Sequence, residues 1–156
     1  MPKLLERPKE RMLEAAREIL EADGYDGLTM RKLASQCQIS VGSVYSYFES
    51  KEDLAATILL DDFQEIKSSG INGILDLYHA VEQLNAKYHN IMTGETSQRL
   101  VQDISNEVKA MIKDDHMKKE PDLPDFMANA ILLAGKNANM QYSTLETLFE
   151  KWTTRP

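Results

Sequence analysis

Apolar residues recur along this chain at the three- and four-residue spacing of a buried helix face, and nowhere with the sustained alternation of a strand. Met12, Ala15, Ala16, Ile19 and Leu20 fall on one face of a helix predicted over about 9–22, with Glu10, Glu14, Arg17, Glu18 and Glu21 turned to water. Gly24 should end it, because glycine tolerates the backbone conformation that closes a helix. Thr29 has an N-capping side chain for a short helix from Met30 to about Gln36, with Leu33, Ala34 and Cys37 inward. Ser40 caps a third from Val41 to about Phe48, which buries Val44 and Phe48. Ser50, with Asp53 three residues on, resembles a capping box with Asp in place of Glu. The fourth helix it starts runs through Leu54, Ile58, Leu59 and Phe63 toward Ile66, and Ser68-Ser69-Gly70 marks its end.

Beyond that break the same spacing predicts helices over about 72–93 (Ile74, Leu77, Tyr78, Val81, Leu84), 97–119 (Leu100, Val101, Ile104, Val108) and 125–141. Gly94 and the prolines at 121 and 124 separate them, and Ser143 with Glu146 marks a restart to Trp152. The fold class is therefore all-α. Two short helices joined by a tight turn and resting on a longer first helix form a helix-turn-helix. That places a three-helix helix-turn-helix domain over 8–66, with the motif itself at 29–48, and a second helical domain over 70–156.

Charge changes this picture locally rather than globally. The net charge of −7 excludes a generally basic coat for nucleic acid. It is, however, carried entirely by residues 49–156, since residues 1–48 hold equal numbers of basic and acidic groups. No acidic residue stands between Asp26 and Glu49, whereas Arg31 and Lys32 do, so the two short helices are where a phosphate backbone can approach. Within the second of them Gly42 and Ser43 are small enough for close approach. Tyr45, Tyr47 and Ser40 add hydroxyl groups that can reach phosphate oxygens. Lys51 falls in the first turn of the next helix, where its charge and the helix N-terminus both favour an anion.

The runs Leu28-Thr29-Met30-Arg31-Lys32-Leu33-Ala34, Ile39-Ser40-Val41-Gly42-Ser43-Val44-Tyr45-Ser46-Tyr47-Phe48 and Ser50-Lys51-Glu52-Asp53-Leu54, preceded by Ala22-Asp23-Gly24-Tyr25, resemble the N-terminal domain of the tetracycline-repressor (TetR) family of bacterial transcription regulators. The resemblance covers about residues 8–66. It implies that Val41–Tyr47 is a recognition helix, Ser46 included, and that Thr29, Arg31, Tyr45 and Lys51 contact phosphates. Gln38 stands where the family usually has glycine, so a residue with a side chain must hold a left-handed turn. Val41 and Ser46 replace longer residues, which shifts part of the specificity to DNA shape or to Arg31.

The second domain carries fewer signals. Tyr78, Tyr88, Met92 and Met111 are candidate lining residues for an apolar effector among the helices of 72–141. His79, Glu82 and His89 have no supporting cluster, so no metal is expected. No Ser/His/Asp set, phosphate-binding loop or dinucleotide fingerprint appears, so neither a recognisable enzyme nor a cofactor is expected. One cysteine, Cys37, rules out an intramolecular disulfide and reads as an inert core thiol. No apolar run suits a membrane span or a leader, so a cytoplasmic protein is expected. The broad apolar surface of Phe126, Met127, Ala130, Ile131, Leu132, Leu133 and Ala134, extended by Leu145, Leu148, Phe149 and Trp152, predicts a homodimer through residues 126–152. Ala134, Gly135 and Ala138 would allow the two helices to approach closely. The resulting expectation is a dimeric repressor on double-stranded DNA with an inverted-repeat operator, released by a small-molecule effector of unknown identity. The alternative is a helical interaction protein of the same fold, acting through a protein partner without effector control.

Overall fold

The computed structural model of the chain describes residues 7–88, 90–112 and 119–136, with Ser143 and Thr147. Among these residues every regular element is helical: α1 (Pro8–Gly27), α2 (Met30–Cys37), α3 (Val41–Tyr45), α4 (Lys51–Ser68), α5 (Ile74–Lys87), α6 (Gly94–Met111) and α7 (Leu123–Lys136). Of the expected restart before Trp152, Ser143 and Thr147 are helical, and the rest lies outside the described residues.

α1 begins with Pro8, whose missing N–H is one of those a helix start leaves unpaired anyway. It buries Met12, Leu13, Ala16, Ile19 and Leu20, and breaks at Gly24 as expected. There φ 69° and ψ −175° define a conformation almost confined to glycine. The break turns Tyr25 into the core before a last short turn to Gly27. The three caps read from the sequence are all formed. Thr29 Oγ1 accepts from Lys32 N (3.1 Å), Ser40 Oγ from Ser43 N (3.0 Å) and Ser50 Oγ from Asp53 N (3.0 Å). Asp53 returns a bond by accepting from Glu49 N at 3.1 Å. Gln38 does hold the left-handed turn, at φ 56° and ψ 42°, and its N–H and that of Ile39 return to carbonyls at the end of α2.

Helix ends depart from expectation where tertiary contacts intervene. α3 stops at Tyr45 rather than Phe48. Its five residues include Gly42 and the β-branched Val41 and Val44, which are weak helix formers. Tyr47 N then bonds back only three residues, to Val44 O, and this tighter turn carries Phe48 into the core. α5 stops at Lys87 rather than 93 because Tyr88 turns extended (φ −122°, ψ 95°) and drops its ring inward, with Ile91 and Met92 buried behind it. α6 starts at Gly94, earlier than 97, on a reciprocal cap between Thr93 and Thr96, and its helix ends at Met111. α7 starts at Leu123, and the expected extensions to 119 and 141 lie partly outside the described residues.

α4 is the shared element. It packs on α1 on the side of the helix-turn-helix and on α5 and α6 on the other, with α7 closing over α5 and α6. Leu54, Ala55, Ile58, Leu59 and Phe63 are fully buried along it. Two polar junctions span the halves. Buried Asp62 accepts from Tyr88 Oη (2.6 Å), Lys87 Nζ (2.9 Å) and Arg17 Nε (3.0 Å), tying α1 and α5 to α4. Arg99 of α6 donates to Asp53 (3.0 Å) and to Glu95 (3.0 Å). The apolar surface of α7 is largely used within the chain: Met127, Ala128, Ile131, Leu132, Ala134 and Gly135 are buried. Gly135 serves the α5–α7 crossing, since a Cβ there would come within 2.5 Å of Val81 Cγ1. Phe126 and Leu133, at 58% and 57% exposure, are the large apolar side chains that α7 leaves accessible.

Candidate nucleic-acid interface

The first two caps set the spacing of α2 and α3, and what the pair leaves outside is mostly hydroxyl, aromatic and cationic. Val44 anchors α3 in the core, so Gly42, Tyr45 and Ser46 are exposed, with Tyr47 just beyond. Tyr45 and Tyr47 are 53% and 44% exposed, too open to be explained by packing. Nothing inside the fold requires glycine at position 42, where an added Cβ would meet only Ser40 Oγ at 3.8 Å. Its smallness matters to whatever approaches from outside. The hydroxyls are partly committed. Ser46 Oγ donates to Gly42 O at 3.1 Å. Ser40 and Ser43 share one bond at 2.8 Å, which leaves one of their two protons to point outward. Thr29 uses its oxygen as a cap and keeps its proton. Val41 and Ser43 are half-buried at the start of α3.

The cations differ in how much charge they present. Arg31 is exposed and, among the described residues, has no hydrogen-bond or ion-pair partner. Lys32, its neighbour, is compensated by Asp23 at 2.5 Å. Lys51 lies with its ammonium 4.0 Å from the centre of the Tyr25 ring. Lys9 sits 5.9 Å from the Phe48 ring, a further cation beside the end of α3 that sequence spacing gave no reason to single out. Thr29, Arg31, Lys32, Ser35 and Gln36 line a shallow open depression of about 440 Å³ on α2. The structure thus places Arg31 on α2, Val41, Gly42, Ser43 and Tyr45 on α3 and Lys51 at the start of α4, with Thr29 and Ser40 capping α2 and α3 and Ser46 and Tyr47 just beyond α3. Cys37 is buried behind them, and burial pushes its thiol up, away from the reactive form.

The effector candidates lie elsewhere, in the core of the second half. Tyr88 is fully buried with its hydroxyl on Asp62, and burial followed by that bond pushes its pKa up to about 12. Met92 is buried, Met111 is partly buried against the core, and Tyr78 Oη lies 3.4 Å from Glu82. A cleft of about 230 Å³ between α4 and α5 is lined instead by Asp62, Glu65, Ile66, Ser69, Gln83, Leu84 and Lys87. His79 and Glu82 do meet, at 3.2 Å, and His89 lies outside the described residues. Among the described residues no helix is long and apolar enough to cross a membrane.

Residues 12–58 match the family described as bacterial regulatory proteins, tetR family. The chain is 34% identical over 116 residues to the HTH-type transcriptional regulator UidR of Escherichia coli K12, covering 69% of this chain and 58% of UidR. It is also 34% identical over 64 residues to the HTH-type transcriptional repressor KstR of Rhodococcus jostii, covering 41% of this chain and 30% of KstR. The chain thus spans less than two thirds of the length of these relatives. In fold it is similar to the transcriptional regulator FadR from Bacillus subtilis, solved in complex with stearoyl-CoA. The TM-score is 0.55 at 15% identity, over 94% of this chain and 98% of that one.

Proposed function

Because the chain belongs to the tetR family of bacterial regulatory proteins, we propose that it acts as a homodimeric transcriptional repressor on an inverted-repeat operator, released by a small-molecule effector. The observation that carries the DNA-binding part is the exposed face of α3. It is a short helix with glycine, hydroxyl and exposed tyrosine side chains outward, in a stretch without carboxylates, flanked by Arg31 and Lys51. α3 enters the major groove, where Val41, Gly42, Ser43 and Ser46 face base edges. Thr29, Arg31, Ser40, Tyr45, Tyr47 and Lys51 fix the register on phosphates. With Ser46 committed to Gly42 O, direct base reading is sparse, so DNA shape and Arg31 carry part of the specificity.

The dimer forms through α7 and the chain up to residue 152. Phe126 and Leu133 stand seven residues apart, hence on one face of α7, and supply the apolar surface a second copy covers. The effector enters among α5–α7 near Tyr78, Tyr88, Met92 and Met111. These side chains are packed, so it displaces core contacts and thereby moves α4, which joins both halves. Complex formation by FadR of B. subtilis with stearoyl-CoA supports a ligand with a long apolar part.

Electrophoretic shift of genomic fragments tests the reading. Wild-type protein should retard a subset of fragments, and Thr29→Ala, Tyr45→Phe and Lys51→Ala should each weaken all binding. Failure to retard any fragment at about 50 mM salt, where phosphate contacts are strongest, would return the chain to the class of protein-interaction modules.

A further inference from the structure

Lys51 and Lys32 flank the helix-turn-helix, yet their surroundings are opposite. Lys32 is neutralised by Asp23. Lys51 has a carboxylate as its next residue in sequence, Glu52, but among the described residues forms no ion pair with it. Its ammonium lies instead over the face of Tyr25, 4.0 Å from the ring centre. A ring face attracts a cation through its quadrupole without cancelling its charge, and leaves free the N–H donors turned away from it. The same tyrosine donates its hydroxyl to Glu52 Oε1 at 3.1 Å, on the rim of the ring rather than its face. Tyr25 is itself buried, fixed by the glycine break in α1 and by packing, so both interactions are anchored to the core.

We propose that Tyr25 is a positioning residue for DNA binding. Its ring seats the Lys51 ammonium and its hydroxyl ties Glu52 aside, so that Lys51 meets a phosphate without a direct ion pair, through the N–H donors turned away from the ring. The inference rests on the DNA-binding function proposed above. Two further observations agree with it. The Glu52 carboxyl lies below its ordinary range. It is held first by its own backbone N–H, which outweighs desolvation, then by the hydroxyls of Tyr25 and Ser50, and last by the nearby charge of Lys51. The Tyr25 hydroxyl is pushed up to about 12 by burial and then by Glu52, so at neutral pH it remains the donor in that bond. In Tyr25→Phe the carboxylate loses the anchor that keeps it off the ring face, and the adjacent ammonium becomes the strongest partner within its reach.

The test measures the affinity for a non-specific duplex of about three helical turns as a function of salt, because phosphate contacts need no operator. The proteins are wild type, Lys51→Ala, Tyr25→Phe, Tyr25→Leu, Glu52→Gln and Tyr25→Phe with Glu52→Gln, each with a thermal melt. Losing one phosphate contact lowers the slope of log affinity against log salt by about 0.9. The protein then loses about 3.5-fold less affinity between 50 and 200 mM salt than wild type does. Lys51→Ala should show that full decrease, Tyr25→Leu should match it, and Tyr25→Phe should show at least half of it. Adding Glu52→Gln to Tyr25→Phe should restore the wild-type slope, while Glu52→Gln alone leaves it unchanged. A purely structural role for Tyr25 would lower the melting temperature without moving the slope, and Glu52→Gln would rescue nothing. A wild-type slope in both Tyr25→Phe and Tyr25→Leu overturns the proposal. An unchanged slope in Lys51→Ala overturns it too, while leaving the DNA-binding function standing. No duplex binding by wild type removes both.

Discussion

Replacing Asp62 by asparagine should reveal how strongly the two halves of the chain are tied together. Asp62 is 6% exposed and accepts from three donors on two other segments: Arg17 of α1, and Lys87 and Tyr88 at the end of α5. Removing one partner of a fully buried ion pair typically costs about 3–5 kcal/mol, because the remaining charge is stranded. Here Arg17 and Lys87 keep side-chain exposures of 27% and 43%, so the guanidinium and the ammonium can both partly rehydrate, and the expected loss drops to about 2–3 kcal/mol. For a chain of this size that corresponds to a melting temperature lowered by roughly 5–10 °C at neutral pH. The pH dependence follows from the carboxyl's position below its ordinary value. Burial pushes it up, but the bonds from Tyr88, Lys87 and Arg17 together pull it further down. A group depressed in the folded state contributes its full stability above the unfolded pKa, about 3.9, and loses it as the pH falls through the folded value. The gap in melting temperature between wild type and Asp62→Asn should therefore be constant from pH 7 to about 5 and shrink below about 4. Thermal melts followed by helical circular dichroism across that range decide it. An unchanged melting temperature at pH 7, or a gap that widens on acidification, would refute the reasoning.

Three further outcomes are expected. Gly135→Ala would place a methyl group 2.5 Å from Val81 Cγ1 and 2.9 Å from its Cβ, so it should cost about 1–3 kcal/mol in urea unfolding, with Val81→Ala restoring part of the loss. Gln38→Gly should raise stability by about 0.5–1 kcal/mol, because it relieves a left-handed residue with a Cβ, and a lower urea midpoint would contradict this. Leu133→Glu, at a position 57% exposed, should leave the helix content intact while converting a dimer to a monomer in sedimentation at micromolar concentration. A wild-type monomer there would remove the interface.

What the sequence made legible is mostly local. Thr29, Ser40 and Ser50 cap the helices they were expected to cap, because an N-cap bond closes within three residues and depends on little else. The break at Gly24 was readable for the same reason, whereas the left-handed turn at Gln38 was implied by the family resemblance. The ends of α3 and α5 were not, since Phe48 and Tyr88 leave the helical path to reach core positions contributed by distant segments. Tyr88 meets a carboxylate 26 residues away. The interface shows the same division. Spacing placed Arg31 on α2 and Lys51 at the start of α4, where they lie, but it could not tell that Asp23 compensates Lys32 or that Tyr25 lies beneath Lys51. Of the apolar breadth of α7 that was read as an interface, Ile131, Leu132 and Gly135 are buried within the chain, and Phe126 and Leu133 stay exposed. Tyr88 and Met92 were read as pocket walls from residue type alone, and residue type does not distinguish a wall from a filled core.

The central claim is that α3 of two copies reads adjacent turns of one duplex, and selection of bound DNA from a randomised pool tests it most directly. Repeated capture by the full chain at about 150 mM salt, followed by sequencing, should enrich an inverted repeat whose half-site centres lie about 10 base pairs, or a multiple of that, apart. Ser43 substitutions should change the preferred bases within each half-site. A pool that emerges with no sequence enriched over its starting composition, under conditions where the protein retains DNA, would contradict the claim.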